Sequence, residues 1–223
     1  SVERKETSQE PPLLYDLTTL QKEANTKLNF SADKTLSIAQ SLYEKKVMSY
    51  PRTGSRYIPE DVFDEMPERV ALLEQYPRFA GYAAGLNGVT LNRRSVNDGK
   101  VTDHHALLVT PNRPLALYKD EQLIYDMIVG RMIEAFSPEC VKDTTTVRAE
   151  CEGVAFETKG CIVRKAGWRS VYGEDREDTV LPDWKEGDTL VMNGCTMSSG
   201  MTRPKPLHTE STLLAAMETA GRE

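Results

Sequence analysis

Long apolar runs are missing from this 223-residue chain. No stretch approaches the roughly 18 apolar residues that a membrane-spanning helix requires, so such a span is excluded. The opening SVERKETSQEPP is polar and lacks the apolar centre of a secretory signal. Cysteine is scarce, and Cys140, Cys151, Cys161 and Cys195 stand 11, 10 and 34 residues apart, which matches neither a CxxC zinc pair nor a redox pair. They are expected to be reduced, mostly buried thiols. Internal repeats and low-complexity segments are absent as well. These absences predict a soluble, intracellular, globular protein, and a hydrophobic content of 39% at this length suffices for one large domain or two smaller ones with real cores.

Positive charge is also in deficit, because the formal net charge is -6. Its distribution matters more than its sum. Lys45, Lys46, Arg52 and Arg56 place a local charge of +4 within residues 45–56, which contain no acid. Residues 60–74 hold six acids and one Arg, whereas residues 88–113 hold Arg93, Arg94, Lys100 and Arg113 against Asp98 and Asp103. A phosphate backbone is drawn to a local basic surface rather than to the chain total, although ordinary solvated faces give the same pattern.

The apolar spacing changes character near residue 142. Before it the period is helical, in LTTLQKEANTKL, then in ADKTLSIAQSLYEKK behind a Ser31 cap with Leu36, Ala39, Leu42 and Tyr43 on one face. KDEQLIYDMIVGRMIEAF keeps the same period through Leu123, Ile124, Met127, Ile128 and Ile133. After Pro138, β-branched residues and alternation in TTTVRAECEGVAFETKGCIVRKAGW predict strands, continuing to GDTLVMNGCTM. Helical spacing returns in ESTLLAAMETAGRE and is expected to run to the end, as in an excerpt from a longer protein.

Tyr50 stands in the basic run, directly before Pro51. A phenol titrates near pH 10, so it is a poor nucleophile at neutral pH unless neighbours lower that value or a base takes its proton. Cations do the former. Arg52 adds a rigid fork of donors suited to the non-bridging oxygens of a phosphodiester. Pro51 biases Tyr50 away from helical geometry, so the phenol projects from an extended or turning backbone just after a helix.

YPRT after LYEKKVMS resembles the active-site segment of the type IA DNA topoisomerases, and most of all their topoisomerase III branch. PPLLYDLTTLQKEAN, TDHHALLVT, AGWRSVYG and TESTLLAAMETAG resemble further family segments, in the family's order, over about residues 11–221. The resemblance implies an α+β fold in which a helical, tyrosine-bearing domain joins part of a β-rich arch. Residues 1–10 would be a linker or arch segment, 11–141 the helical domain, 142–203 the arch segment and 204–223 the start of a core domain.

It also implies a reaction. Tyr50 would attack one DNA strand to form a 5'-phosphotyrosyl link, free a 3'-hydroxyl and allow another strand to pass, giving relaxation or decatenation without ATP. Arg52 would position the scissile phosphate, and His104 would act as a second phosphate-directed donor. The DNA-contacting set would comprise Lys46, Thr53, Ser55, Arg56, Lys100, His105 and Thr209. Asp103 or Thr102 would cap a short helix starting at the histidines and aim its N–H groups at an anion. No metal ligand is expected here: Mg²⁺ would be held by a Toprim domain with a DxDxE motif, and neither that motif nor the glutamate that protonates the leaving oxygen occurs in this sequence. Single-stranded DNA and a cellular helicase would be partners, at a chromosome or plasmid in the cytoplasm.

Three positions depart from the family pattern. Gly54 stands where many relatives carry an acid, Val109 where many carry a proline, and PKPLH before Thr209 lacks an Arg, leaving Lys205 or His208 as substitutes. Two other classes fit parts of the sequence. In a non-catalytic single-strand binder Tyr50 would only stack on bases; a tyrosine recombinase would surround its tyrosine with several arginines in another order.

Overall fold

The computed structural model describes residues 1–114, 116–173, 178–191, 193–194 and 196–221. The chain begins in a strand, β1 (Val2–Gln9), and turns at Pro11 and Pro12 into the helical part. Helix α1 (Leu17–Leu28) starts where the Asp16 carboxylate accepts the Thr19 N–H at 2.6 Å and stops at Asn29, whose φ of 56° is left-handed. Helix α2 (Ala32–Glu44) is capped by Ser31, whose hydroxyl accepts the Lys34 N–H at 3.1 Å. Its buried stripe is Thr35, Ala39 and Leu42. Tyr43, expected on that stripe, is instead 40% exposed: one residue on from fully buried Leu42, it lies about 100° further round the helix.

Three short helices follow, α3 (Glu60–Asp64), α4 (Met66–Leu72) and α5 (Ala80–Ala84). Helix α6 (Lys119–Phe136) is the centre of the molecule, for every residue from Ile124 to Phe136 is buried. It begins with Asp120 and Glu121 in its first turn, where Glu121 reaches back to accept the Tyr118 N–H at 2.9 Å. It ends ahead of Pro138, which cannot continue a helix.

Strands β2 (Cys140–Cys151) and β3 (Val154–Lys165) form a hairpin, and β1 adds to it antiparallel in the order β1-β2-β3. The register runs from Val2 opposite Val147 to Gln9 opposite Cys140. The two-residue turn Glu152-Gly153 has φ of 49° and 80°, the double left-handed geometry that suits the twist of a hairpin. A 3-10 turn at Gly167–Tyr172 then packs on α6. Gly167 allows this close approach, because a Cβ there would lie 2.3 Å from the Glu139 carbonyl oxygen.

Two sequence expectations fail in the last third. Among the described residues of GDTLVMNGCTM no strand forms, since no neighbouring strand is placed to share its ladder; Leu190 and Val191 stay exposed. Met192 and Cys195 lie outside the described residues. Helix α7 (Glu210–Thr219) begins where expected, with Thr209 as its cap, but it ends at Thr219, short of the expected run, and Gly221 follows at φ 78°; Arg222 and Glu223 lie outside the described residues. It lies on α1, through Lys22–Glu218 at 2.6 Å and a Ser211 N–H donated to Asn25 Oδ1 at 3.1 Å. The thiols are also less buried than expected: Cys140 is buried, Cys161 half-buried and Cys151 exposed, because 151 and 161 sit on a ribbon with little apolar cover.

Candidate active site

Residues 47–58 run from the end of α2 across the segment 104–110, and backbone hydrogen bonds fix the two together. Ser49 and Leu108 exchange bonds: the Ser49 N–H donates to Leu108 O at 2.9 Å, and the Leu108 N–H donates to the Ser49 hydroxyl at 2.9 Å. The Thr110 N–H reaches Val47 O at 3.1 Å, the Leu107 N–H reaches Tyr15 O at 2.8 Å and the Ala106 N–H reaches Tyr57 O at 2.9 Å. Residues 104–110 are therefore extended, and the helix expected to begin at the histidines is absent. Their N–H groups are drawn off sideways into these ladders rather than along a helix axis.

This crossing brings together two residues 54 positions apart. The Tyr50 and His104 rings lie 4.6 Å apart, centroid to centroid, tilted by 51°. The Tyr43 ring also stands edge-on to Tyr50, at 5.4 Å and 77°. The Tyr50 hydroxyl makes no hydrogen bond to the described residues, and neither the Arg52 side chain nor its charge is engaged by any of them. Arg52 is exposed and Tyr50 half-buried. Thr53 ties the site down: its hydroxyl donates to His104 O at 2.9 Å and accepts the Ser55 N–H at 3.1 Å, while its carbonyl accepts the Leu17 N–H at 3.1 Å. Ser55 donates to Lys100 O at 3.0 Å. Thr53 and Ser55 are both buried, so they shape the turn from inside. Gly54 sits between them in open space, which explains how the loop is held without an acid there.

The basic run is smaller in space than in sequence. Lys45 is paired with Glu121, whose carboxyl is held below its ordinary range: burial opposes ionisation, but bonds from Lys45, the Tyr118 N–H and the Ser41 hydroxyl outweigh it. Arg56 turns inward and donates from Nε to Leu14 O at 3.1 Å. Arg93 pairs with Glu60, from the acidic segment, and Arg94 with Glu10. Lys100 donates to the Tyr57 hydroxyl at 3.2 Å and lies over its ring. Arg52, Lys46 and Arg113 keep exposed side chains with no carboxylate partner among the described residues. Lys46 has φ 60°, and its carbonyl is pinned by the Thr110 hydroxyl at 2.6 Å and by Asn112 Nδ2 at 2.8 Å, which sets its side chain outward.

The remaining expected residues fall elsewhere. His105 is half-buried, its Nδ1 bonded to the Ala106 carbonyl at 2.6 Å. Thr209 caps α7, and no hydrogen bond or ring contact among the described residues joins it to Tyr50, Arg52 or His104. Lys205 is exposed, and His208 Nδ1 lies 3.1 Å from the Thr212 hydroxyl. Sequence reasoning missed Tyr43 and Ser49. The former was legible only as a helix-face residue, and the latter carries no local signal at all. Among the described residues no group of three or more His, Cys, Asp or Glu is arranged to hold a metal ion, and no helix is long and apolar enough to cross a membrane.

Residues 1–221 match the sequence profile of the family described as DNA topoisomerase. The chain is 39% identical over 221 residues to DNA topoisomerase 3 of Bacillus subtilis (strain 168), covering 93% of this chain and 30% of that protein. It is 37% identical over 226 residues to DNA topoisomerase 3 of Shouchella clausii (strain KSM-K16), covering 98% and 31%. The chain thus spans about a third of the length of these relatives. The structure of full-length topoisomerase I from Thermotoga maritima superposes with a TM-score of 0.72 at 21% identity, over 99% of this chain and 37% of that one, and so shares the fold. An α+β chain that matches the family profile across residues 1–221 belongs to the type IA DNA topoisomerases, and within them it is topoisomerase III-like.

Proposed function

We propose that this chain is the tyrosine-bearing part of a topoisomerase III-like enzyme that cleaves one DNA strand transiently and lets another pass. The observation that carries this reading is the state of Tyr50: its ring is contacted by the Tyr43 and His104 rings while its hydroxyl is left without a protein partner among the described residues. A side chain fixed at the ring and free at the oxygen is arranged to attack. The Tyr50 oxygen forms a bond to phosphorus as the bond to the 3'-oxygen breaks; the phenol proton leaves to solvent and the 3'-oxygen takes up a proton to become a hydroxyl. One ester replaces another, so resealing by the reverse step requires no ATP. Arg52, exposed and without a carboxylate partner among the described residues, supplies donors to the non-bridging oxygens as charge builds on them. His104, whose ring lies 4.6 Å from that of Tyr50, would contact the same phosphate.

The described residues do not fit a Mg²⁺ site, so no step is derived through the metal. In this reading Mg²⁺ and the acid that protonates the leaving oxygen enter from a Toprim domain of the longer enzyme. The substrate is single-stranded DNA, with a helicase as cellular partner and the cytoplasm as the compartment. Domain limits follow the same reading: residues 11–141 mount the tyrosine, residues 142–203 form an arch segment joined by the strand within 1–10, and residues 204–223 begin a core domain.

The test is covalent trapping on a 3'-labelled oligonucleotide by the full-length enzyme, since the 5'-phosphotyrosyl link retains the 3' part of the cut strand. Tyr50→Phe should abolish the adduct while single-strand binding survives, and Arg52→Ala should slow cleavage by roughly 10² to 10³. The 223-residue chain alone should show no relaxation of supercoiled plasmid, and its weak oligonucleotide binding should loosen as salt rises through counterion release. An adduct that persists in Tyr50→Phe removes the nucleophile assignment, and binding with no adduct in the parent enzyme leaves the single-strand binding module as the better account.

A further inference from the structure

We infer that Tyr43 is a positioning residue for the nucleophile: its ring edge holds the Tyr50 phenol in the orientation from which it attacks. The inference rests on the reading of Tyr50 given above and adds a residue to that site. Tyr43 is the penultimate residue of α2, beyond the buried stripe of Thr35, Ala39 and Leu42. Its hydroxyl makes no hydrogen bond to the described residues, and 40% of the residue faces water. Its one ring contact among the described residues is Tyr50, at 5.4 Å and 77°. So the core does not account for an aromatic residue here, and neither does a polar anchor.

The geometry of the three rings supplies the account. Tyr50 follows a proline-restricted, non-helical backbone, and none of the described residues bonds its hydroxyl, so its side-chain torsions are limited only by what touches the ring. His104 and Tyr43 both contact that ring, and they come from different elements, the 104–110 segment and the end of α2. With one of them gone the phenol gains rotamers that point its oxygen away from the scissile phosphate. Orientation of reacting atoms is a large part of catalysis, and small misplacement is costly. Edge-to-face pairs have the strength to bias a rotamer. His104 cannot isolate this effect, because its ring both packs on Tyr50 and would face the phosphate. Tyr43 acts through its ring alone, so it separates orientation from electrostatics.

Two measurements test this. The 223-residue chain is labelled with 3-fluorotyrosine, and the Tyr50 fluorine resonance is assigned by its loss in Tyr50→Phe. Tyr43→Leu should shift that resonance, through loss of the neighbouring ring current, and narrow it as the ring is freed; Tyr43→Phe should leave it in place. In the full-length enzyme, single-turnover cleavage at saturating oligonucleotide should fall roughly 3- to 10-fold in Tyr43→Leu, with Kd unchanged and the rate restored in Tyr43→Phe. A raised Kd at unchanged rate would make Tyr43 a base-stacking platform, and unchanged rate and Kd would make it surface packing; either outcome overturns the inference. A Tyr43→Phe enzyme as slow as Tyr43→Leu would overturn it too, by assigning the effect to the hydroxyl. Failure of the underlying reading shows separately, as an adduct that survives Tyr50→Phe with Tyr43 intact.

Discussion

Helix α6 and the β2–β3 hairpin are stretches of 18 and twice 12 residues, and they are stabilised in opposite ways. In α6 the whole run from Ile124 to Phe136 is buried, including Asp126, Arg131 and Glu134, so the helix has neighbours on every side. In the hairpin only Cys140, Val147 and Gly160 are buried, and backbone ladders with surface pairs such as Arg148–Glu157 supply most of what holds it. Surface pairs of that kind contribute little. The candidate site is anchored on the first kind of structure: Ser49 ties the Tyr50 segment to buried Leu108, and the buried side chains of Thr53 and Ser55 hold the backbone of His104 and Lys100, whose own side chains face water. A nucleophile needs a mount that does not yield, whereas a ribbon with water on most of its surface can bend without losing a core.

That contrast has its largest test in paired truncations. Phe136 is fully buried and lies 6.1 Å from the Phe63 ring, so Phe136→Ala should cost about 3–5 kcal/mol. Phe156 on β3 is 47% exposed, and Phe156→Ala should cost less than about 0.5 kcal/mol. Urea unfolding of both variants gives the comparison directly. Equal losses would show the hairpin to be packed as tightly as the helix, and the contrast would fail.

The buried charges of α6 give a smaller effect with a definite pH window. Burial pushes the Glu134 carboxyl up to about 7, although Arg131 Nε donates to it at 3.0 Å. Arg131 is shared: it also engages Glu23 and the Leu13 carbonyl and stacks on Tyr15, so Glu134 receives only part of its charge. Glu23 goes the other way, held below its ordinary value because Arg131, the Tyr15 hydroxyl and Lys27 outweigh its burial. A carboxyl raised on folding is most favourable below its unfolded value and loses that advantage as pH rises through its folded one. Stability should therefore decline from about pH 4.5 to 7, by on the order of 3 kcal/mol for this group. Glu134→Gln, which keeps an acceptor for Arg131, should flatten the slope over that window. Urea midpoints measured at several pH values read it out, and a slope equal to the parent's would assign the titration elsewhere.

The helices of this core were largely legible in the sequence. The segments 17–28 and 119–136 carry a 3.6-residue period, and Ser31 marks the start of α2, so local chemistry alone places them. The non-helical backbone at Tyr50 was legible through Pro51. What escaped depends on partners distant in sequence. Arg56 counts as a surface cation in the sequence, yet it bonds the Leu14 carbonyl 42 positions away. His104 and His105 look alike as a pair, and only the ladder from Ala106 to Tyr57 turns one ring toward Tyr50 and the other against the Ala106 carbonyl. The GDTLV stretch alternates as a strand does, but alternation cannot supply a neighbour to pair with.

The smallest expected effect lies at the junction of site and core. Gly54 stands where an acid was expected from the family, and the question is whether the turn depends on glycine. Its φ is outside the left-handed region and a Cβ there would meet nothing within 4 Å, so neither strain nor collision demands glycine. The turn is held instead by the Thr53 hydroxyl, between His104 O and the Ser55 N–H, and by the Ser55 hydroxyl on Lys100 O. Gly54→Asp should thus change stability by no more than about 0.5 kcal/mol, part of it a gain from restricting the unfolded chain. Its negative charge enters beside Arg52, which has no carboxylate partner of its own among the described residues. Single-strand binding should weaken a few-fold in low salt and return toward the parent's near physiological ionic strength, where screening acts over about 8 Å. Thermal unfolding and an oligonucleotide titration across a salt series measure both. A loss of several kcal/mol would show that the turn is as tightly packed as α6 after all, and a binding change that persists in high salt would mean that the introduced carboxylate forms a close pair with Arg52 rather than merely lowering the local potential.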